Sequence, residues 1–179
     1  MKQVVKILSI FCVLIMPFFA HADDFNRVTS LISKRLSYME KVARYKMQEN
    51  QPIQDLVQEK KVLENSLALS KSLGIDSNSI KRFMITQINV AKSIQHRFFA
   101  DWLSKPDLKT SNIPLKEIRS DISNINNNII AEIANYLKSN KKIDESLKKD
   151  FFKAVQEKNL NEVDKEVLFS SLTEIKLNK

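Results

Sequence analysis

A single glycine, Gly74, and four prolines stand in a chain of 179 residues, and that scarcity removes most folds before any pattern is read. Tight hairpin turns need residues at positive φ, chiefly glycine, and this chain cannot furnish them. Long helices with short joints are what remains. The apolar positions agree. Val28, Leu31, Ile32, Leu36, Met39, Val42 and Ala43 recur at three- and four-residue spacing, the period of one helix face. They predict a helix from about Asp24 to Glu49, broken by Pro52. A second is expected from about Ile53 to Leu73, closing at Gly74 in a left-handed cap. "DSNS" (Asp76 to Ser79) opens a third with a good N-cap residue, and it continues to about Trp102. Ser104 to Pro114 reads as a linker. Three further helices follow at about Leu115–Ser139, Asp144–Lys158 and Glu162–Leu177, with Asn161 capping the last. The expected class is all-α, one domain of about six helices.

The N-terminus stands apart. Lys2 and Lys6 precede the apolar run "ILSIFCVLIMPFFA", and "AHA" (Ala20 to Ala22) gives a small-x-small cleavage signal before "DD". This is the pattern of a signal peptide, residues 1–22, cleaved after Ala22. The apolar run falls short of the roughly 20 residues of a spanning helix, and Pro17 sits near its end. The mature domain, residues 23–179, is thus expected in the periplasm or outside the cell, with no membrane association after cleavage. Cys12, the one cysteine, leaves with the signal, which excludes disulfides, thiolate catalysis and cysteine metal sites. The about 157 residues that remain suffice for a core held by burial alone. Losing Lys2 and Lys6 takes the formal charge from +8 to +6. The lysines alternate with acids and form no dense basic stripe, so no nucleic-acid partner is expected. With no metal-ligand cluster and no glycine-rich phosphate loop, no metal and no cofactor are expected either.

One stretch does not fit a helix that only packs. Arg35 and Lys46 lie eleven residues apart, which at about 100° per residue returns to nearly the same face three turns along. For an arbitrary pair, surface cations with their stems on the core edge are the ordinary explanation. The company of these two differs. After the break at "QPI", Asp55 and Glu59 sit one turn apart, and Gln95 in "VAKSIQ" lies among apolar Ile88, Ala91 and Ile94. The two histidines offer nothing comparable, because His21 leaves with the signal and His96 is read as a helix-surface residue.

The order "RL…VARYK…PIQD…QE…VL…GID…QI…AKSIQ…W" resembles the all-helical chorismate mutases, and specifically their exported AroQ-gamma subclass. The resemblance is good from about Leu31 to Trp102, weaker to Arg119, and confined to helical character beyond. It implies that chorismate is rearranged to prephenate in one concerted step, without proton transfer or covalent intermediate. By this resemblance Arg35 grips a substrate carboxylate, Lys46 bridges a carboxylate and the ether oxygen, and Gln95 donates to that same oxygen. Asp55 and Glu59 would lie near the ring hydroxyl. Arg119 in "KEIRSDI" matches an arginine that the exported subclass draws from a later helix of its own chain. The active-site part would then span about 24–120, with extra C-terminal helices from about 121 to 179.

Two positions depart from the pattern. Many relatives carry an arginine three residues after the aspartate, where this chain has Gln58, and several carry a hydroxyl where it has Ala91. Lys61 falls on a different helix face and is a poor substitute. Loss of uniform binding raises KM while kcat survives, so the expectation is an active enzyme with a mediocre KM. Two other readings remain beside it. One is lyase removal of pyruvate from isochorismate on the same scaffold. The other is a non-enzymatic exported helical domain that presents "RFF" (Arg97 to Phe99) and Trp102 to a partner. "KKDFFKAVQEKNL" has an amphipathic face suited to closing over the core or joining two chains, and a homodimer is the expectation.

Overall fold

The computed structural model describes residues 20–105, 113–139 and 141–178, with side chains from Asp24 onward. The signal segment before Ala20 and the middle of the 104–114 linker lie outside the described residues. The chain is all-α, as its glycine content requires. Its helices are α1 (Ala20–Ser37), α2 (Met39–Gln48), α3 (Leu56–Ser72), α4 (Ser77–Ser104), α5 (Leu115–Lys138), α6 (Lys148–Ala154) and α7 (Glu162–Thr173), with a 3-10 turn at Glu145–Leu147.

Four boundaries differ from the sequence reading. The second helix, expected from Ile53, begins at Leu56, because Asp55 caps it. The helix expected from Asp24 to Glu49 is two, separated at Tyr38. The interruption is slight, since Tyr38 stays near helical dihedrals and its carbonyl accepts from the Val42 amide at 3.0 Å. The helix expected from Asp144 to Lys158 is the 3-10 turn followed by α6, which stops at Ala154 as fully buried Val155 turns extended. The last helix ends at Thr173 rather than Leu177, because the tail leaves it to pair with the α3–α4 joint. Ile75 and Leu177 form an isolated antiparallel bridge, with Asp76 N to Lys176 O and Asn178 N to Gly74 O both at 2.9 Å.

Local chemistry sets the other ends. Gly74 takes φ 79°, and the amides of Gly74 and Ile75 reach back to the carbonyls of Lys71 and Ser70 at 3.2 and 2.9 Å, a Schellman closure. Asn50 does the same for α2 at φ 49°, with Gln51 N bonded to Lys46 O at 2.7 Å. Asp76 caps α4 by accepting from Ser79 N, and Asn161 caps α7 in a reciprocal box with Asp164.

The 28-residue α4, about 42 Å long at helical rise, packs against α2, α3 and α7, while α5 packs against α1 and α3. Phe83, Met84 and Ile94 of α4 and Ile129 and Ile133 of α5 are buried in one apolar core that also takes in Phe151 and Phe169. The amphipathic face of α6 therefore closes over the core through Phe151. Phe98 stacks on Trp102 at 5.2 Å, and Arg44 lies 4.8 Å over the same indole, which is helix-end packing. α3 is different. Its buried residues are Ser66 and Ser70, whose hydroxyls donate to their own helix, so α3 serves as a wall rather than a core rod.

Candidate active site

Between α1, α2, α3, α4 and α5 lies a cavity of about 640 Å³ including its mouth. Arg35, Lys46, Asp55, Glu59, Gln95 and Arg119 all line it, together with Gln58, Ala91 and the apolar side chains of Met39, Val42 and Ile88. Each of the five helices contributes at least one polar group. His96 is exposed on α4 and stays outside. Lys61 lines a neighbouring polar groove instead.

Arg35 is 4% exposed. Its Nε donates to Asn126 Oδ1 at 2.7 Å and its Nη1 to Gln87 O at 3.4 Å. Two fixed acceptors hold the guanidinium in the cavity wall with donors to spare. Burial lowers its pKa to about 10, which leaves it a cation at neutral pH. Lys46, also 4% exposed, donates to Ile53 O in the "QPI" break. Its pKa is held below the ordinary lysine value by burial first and then by Arg119, against the opposing pull of Asp55 and Glu59. Asp55 and Glu59 favour its charged form in a nearly dry place, where a charge is least screened.

Asp55 does two jobs. Its Oδ1 accepts from Gln58 N at 3.0 Å as the N-cap of α3, and its Oδ2 accepts from Arg119 Nη2 at 2.6 Å. The Gln58 amide, then Arg119, hold this carboxyl below its usual range. Glu59 Oε2 meets Lys92 Nζ at 3.0 Å, while its Oε1 accepts from Asp55 N at 3.3 Å. Gln95 Nε2 donates to Ala91 O at 3.0 Å and faces Met39 Sδ, a weak acceptor, at 3.6 Å. The Ala91 carbonyl only accepts, which fixes the amide with its nitrogen on that side. Gln95 Oε1 is buried with no partner.

Asn126, Lys92 and the cavity-lining Ser123 were not picked out from the sequence. Asn126 orients Arg35 from ninety-one residues away, and no local pattern marks it. Lys92 lines the cavity from within "AKSIQ", three residues before Gln95, a spacing that puts it on an adjoining line of the helix. Among the described residues no group of three or more His, Cys, Asp or Glu could hold a metal ion. The arrangement is one for binding and stabilising negative charge: cations and an amide donor set in advance around an apolar-walled hollow, with no nucleophile paired to a base.

The family model described as chorismate mutase type II matches residues 26–96. The chain is 39% identical over 156 residues to a secreted chorismate mutase of Yersinia pestis, covering 87% of this chain and 84% of that one. It is 32% identical over 149 residues to a monofunctional chorismate mutase of Enterobacter agglomerans, covering 83% and 81%. The crystal structure of the Yersinia pestis protein superposes with a TM-score of 0.80, over 85% of this chain and 98% of that one. A chorismate mutase structure from Burkholderia thailandensis, at 20% identity, shares the fold with a TM-score of 0.69, over 84% and 98%.

Proposed function

The chain belongs to the type II chorismate mutase family, and from that premise we propose how its cavity rearranges chorismate to prephenate. The reaction breaks the ether carbon–oxygen bond as the new carbon–carbon bond forms, with no proton transferred. The protein has two tasks: to fold a flexible dianion into its reactive chair, and to stabilise negative charge that grows on the ether oxygen. The first is positioning. Arg35, locked by Asn126 and Gln87, takes one carboxylate as a planar fork. Arg119, steered by Asp55, faces the cavity from α5. Glu59 accepts from the ring hydroxyl, with Asp55 nearby.

The second task falls to Lys46 and Gln95. Lys46 bridges a carboxylate and the ether oxygen. Gln95 gives that oxygen the hydrogen now turned toward the Met39 sulfur, so a weak acceptor is exchanged for one gaining charge. Donors aimed where charge develops favour the transition state over the bound substrate. The observation that supports this reading is the convergence of all six polar side chains on one hollow from five helices.

The proposal extends to export. The leader of residues 1–22 is removed after Ala22 and the mature domain, 23–179, acts in the periplasm or beyond the cell. The Yersinia pestis relative is named as secreted, and no helix among the described residues is long and apolar enough to cross a membrane.

The test is direct. The purified mature chain is incubated with chorismate, its absorbance loss followed, and the product acidified to phenylpyruvate. Lys46→Ala is expected to lower kcat by at least about 10²–10³-fold while the helical circular dichroism stays intact. Full turnover in that variant would remove Lys46 from the mechanism.

A further inference from the structure

The charges around the cavity raise a question that the family pattern alone does not answer. Gln58 stands where many relatives have an arginine, so one cation is missing from the set that meets a dianion. Yet the lining side chains comprise four cations, Arg35, Lys46, Lys92 and Arg119, against two carboxylates, Asp55 and Glu59, a net charge of +2. Without Lys92 the balance would be +1.

We propose that Lys92 binds a carboxylate of the substrate and supplies the cation that Gln58 does not. This rests on the chorismate mutase reading above. Lys92 projects from α4 into the cavity, and its ammonium lies 3.0 Å from Glu59 Oε2, beside the residue that follows Gln58. The Lys92 side chain is 23% exposed and that of Glu59 22%, so the pair lines the hollow without being dissolved in bulk water. Each of the four cations is oriented by the protein: Arg35 by Asn126 and Gln87, Lys46 by Ile53, Arg119 by Asp55 and Lys92 by Glu59. Lys92 donates to Glu59 alone among the described residues, and an ammonium has three hydrogens to give. Its flexible stem lets the charge swing toward a bound carboxylate, as a point contact rather than a fork. Because a carboxylate carries the same charge before and after the rearrangement, the contribution of Lys92 belongs to binding and not to the chemical step.

Steady-state kinetics on the mature chain separate the possibilities. Lys92→Gln is expected to raise KM about 10- to 100-fold, the scale of one hydrogen bond to a charged group, with kcat changed less than about threefold. Lys92→Arg keeps KM near the wild-type value. Gln58→Arg added to Lys92→Gln moves the charge back across the groove and recovers at least about tenfold of the lost KM. The alternative role, a counter-ion that only neutralises Glu59, is tested in a Glu59→Gln background. There the proposal expects Lys92→Gln still to raise KM, whereas a null effect overturns it. An unchanged KM in Lys92→Gln, beside an active wild type, overturns it as well. A wild-type chain that leaves chorismate untouched would instead remove the activity, and this assignment with it.

Discussion

Gln95 meets the cavity as an amide, and its chemistry sets an expectation for pH. Where a relative carries glutamate, that side chain must be protonated to donate, whereas an amide donates throughout. The charged groups around it leave the neutral range free. Asp55 is depressed by the Gln58 amide and Arg119, so it stays ionised below the usual carboxylate range. Lys46 is depressed by burial and Arg119, so it loses its charge earlier than an ordinary lysine as pH rises, and activity falls on the alkaline side. Between these limbs kcat should be nearly flat from about pH 5 to 8. Gln95→Glu should convert that plateau into a slope that falls as pH rises through the new carboxyl's pKa. A steep wild-type fall across the same range would contradict the role given to Gln95. Arg35 and Lys46 could be found in the sequence because eleven residues of one rod return them to one face. Lys92 could not. Its helix carries polar residues on several lines, and only the packing of α3 on α4 brings Glu59 to it.

α3 owes its first turn to a side chain that also serves the cavity, and the two roles of Asp55 can be separated by substitution. Asparagine caps about as well as aspartate, whereas alanine costs about 1 kcal/mol. Asp55→Asn should therefore keep its unfolding free energy, measured in urea, within about 0.5 kcal/mol of wild type, while Asp55→Ala loses the full cap. Both leave Arg119 without its carboxylate, so both should lower kcat/KM by a similar factor. An Asp55→Asn protein as unstable as Asp55→Ala would show that the ion pair, not the cap, holds the α3 start. Element ends of this kind were legible where the signal is local: Gly74, Asp76 and Asn161 each act within a few residues. The end of α7 depends on distant partners. Thr173 closes α7 because the tail pairs with residues 74–76, about a hundred positions away in the chain, and no periodicity in "LFSSLTEIKLNK" encodes that.

Across the whole molecule, the sequence suggests an active-site half to about residue 120 and an appended C-terminal half, and the packing bears on whether the first could stand alone. One apolar core runs from Phe25 to Ile175. α4, which carries Gln95 and Lys92, has α2 and α3 on its site side and α7 packed elsewhere along it. Leu168, Phe169 and Leu172 are fully buried, and the Phe169 ring sits 5.3 Å from that of Phe151. At about 1.5–3 kcal/mol for each such side chain, these three contribute on the order of the 5–15 kcal/mol that holds a whole domain together. Ending the chain after Asn161 should therefore give a protein without cooperative unfolding and without turnover, not a smaller mutase. Phe169→Ala removes the same contact more gently. It should cost about 3–5 kcal/mol in urea unfolding yet leave kcat of the folded fraction near wild type, because no side chain of α7 lines the cavity. If the truncated chain instead melted cooperatively and turned over chorismate, α4 would not need α7 to hold Gln95 in place, and the C-terminal helices would be an accessory to a site complete without them.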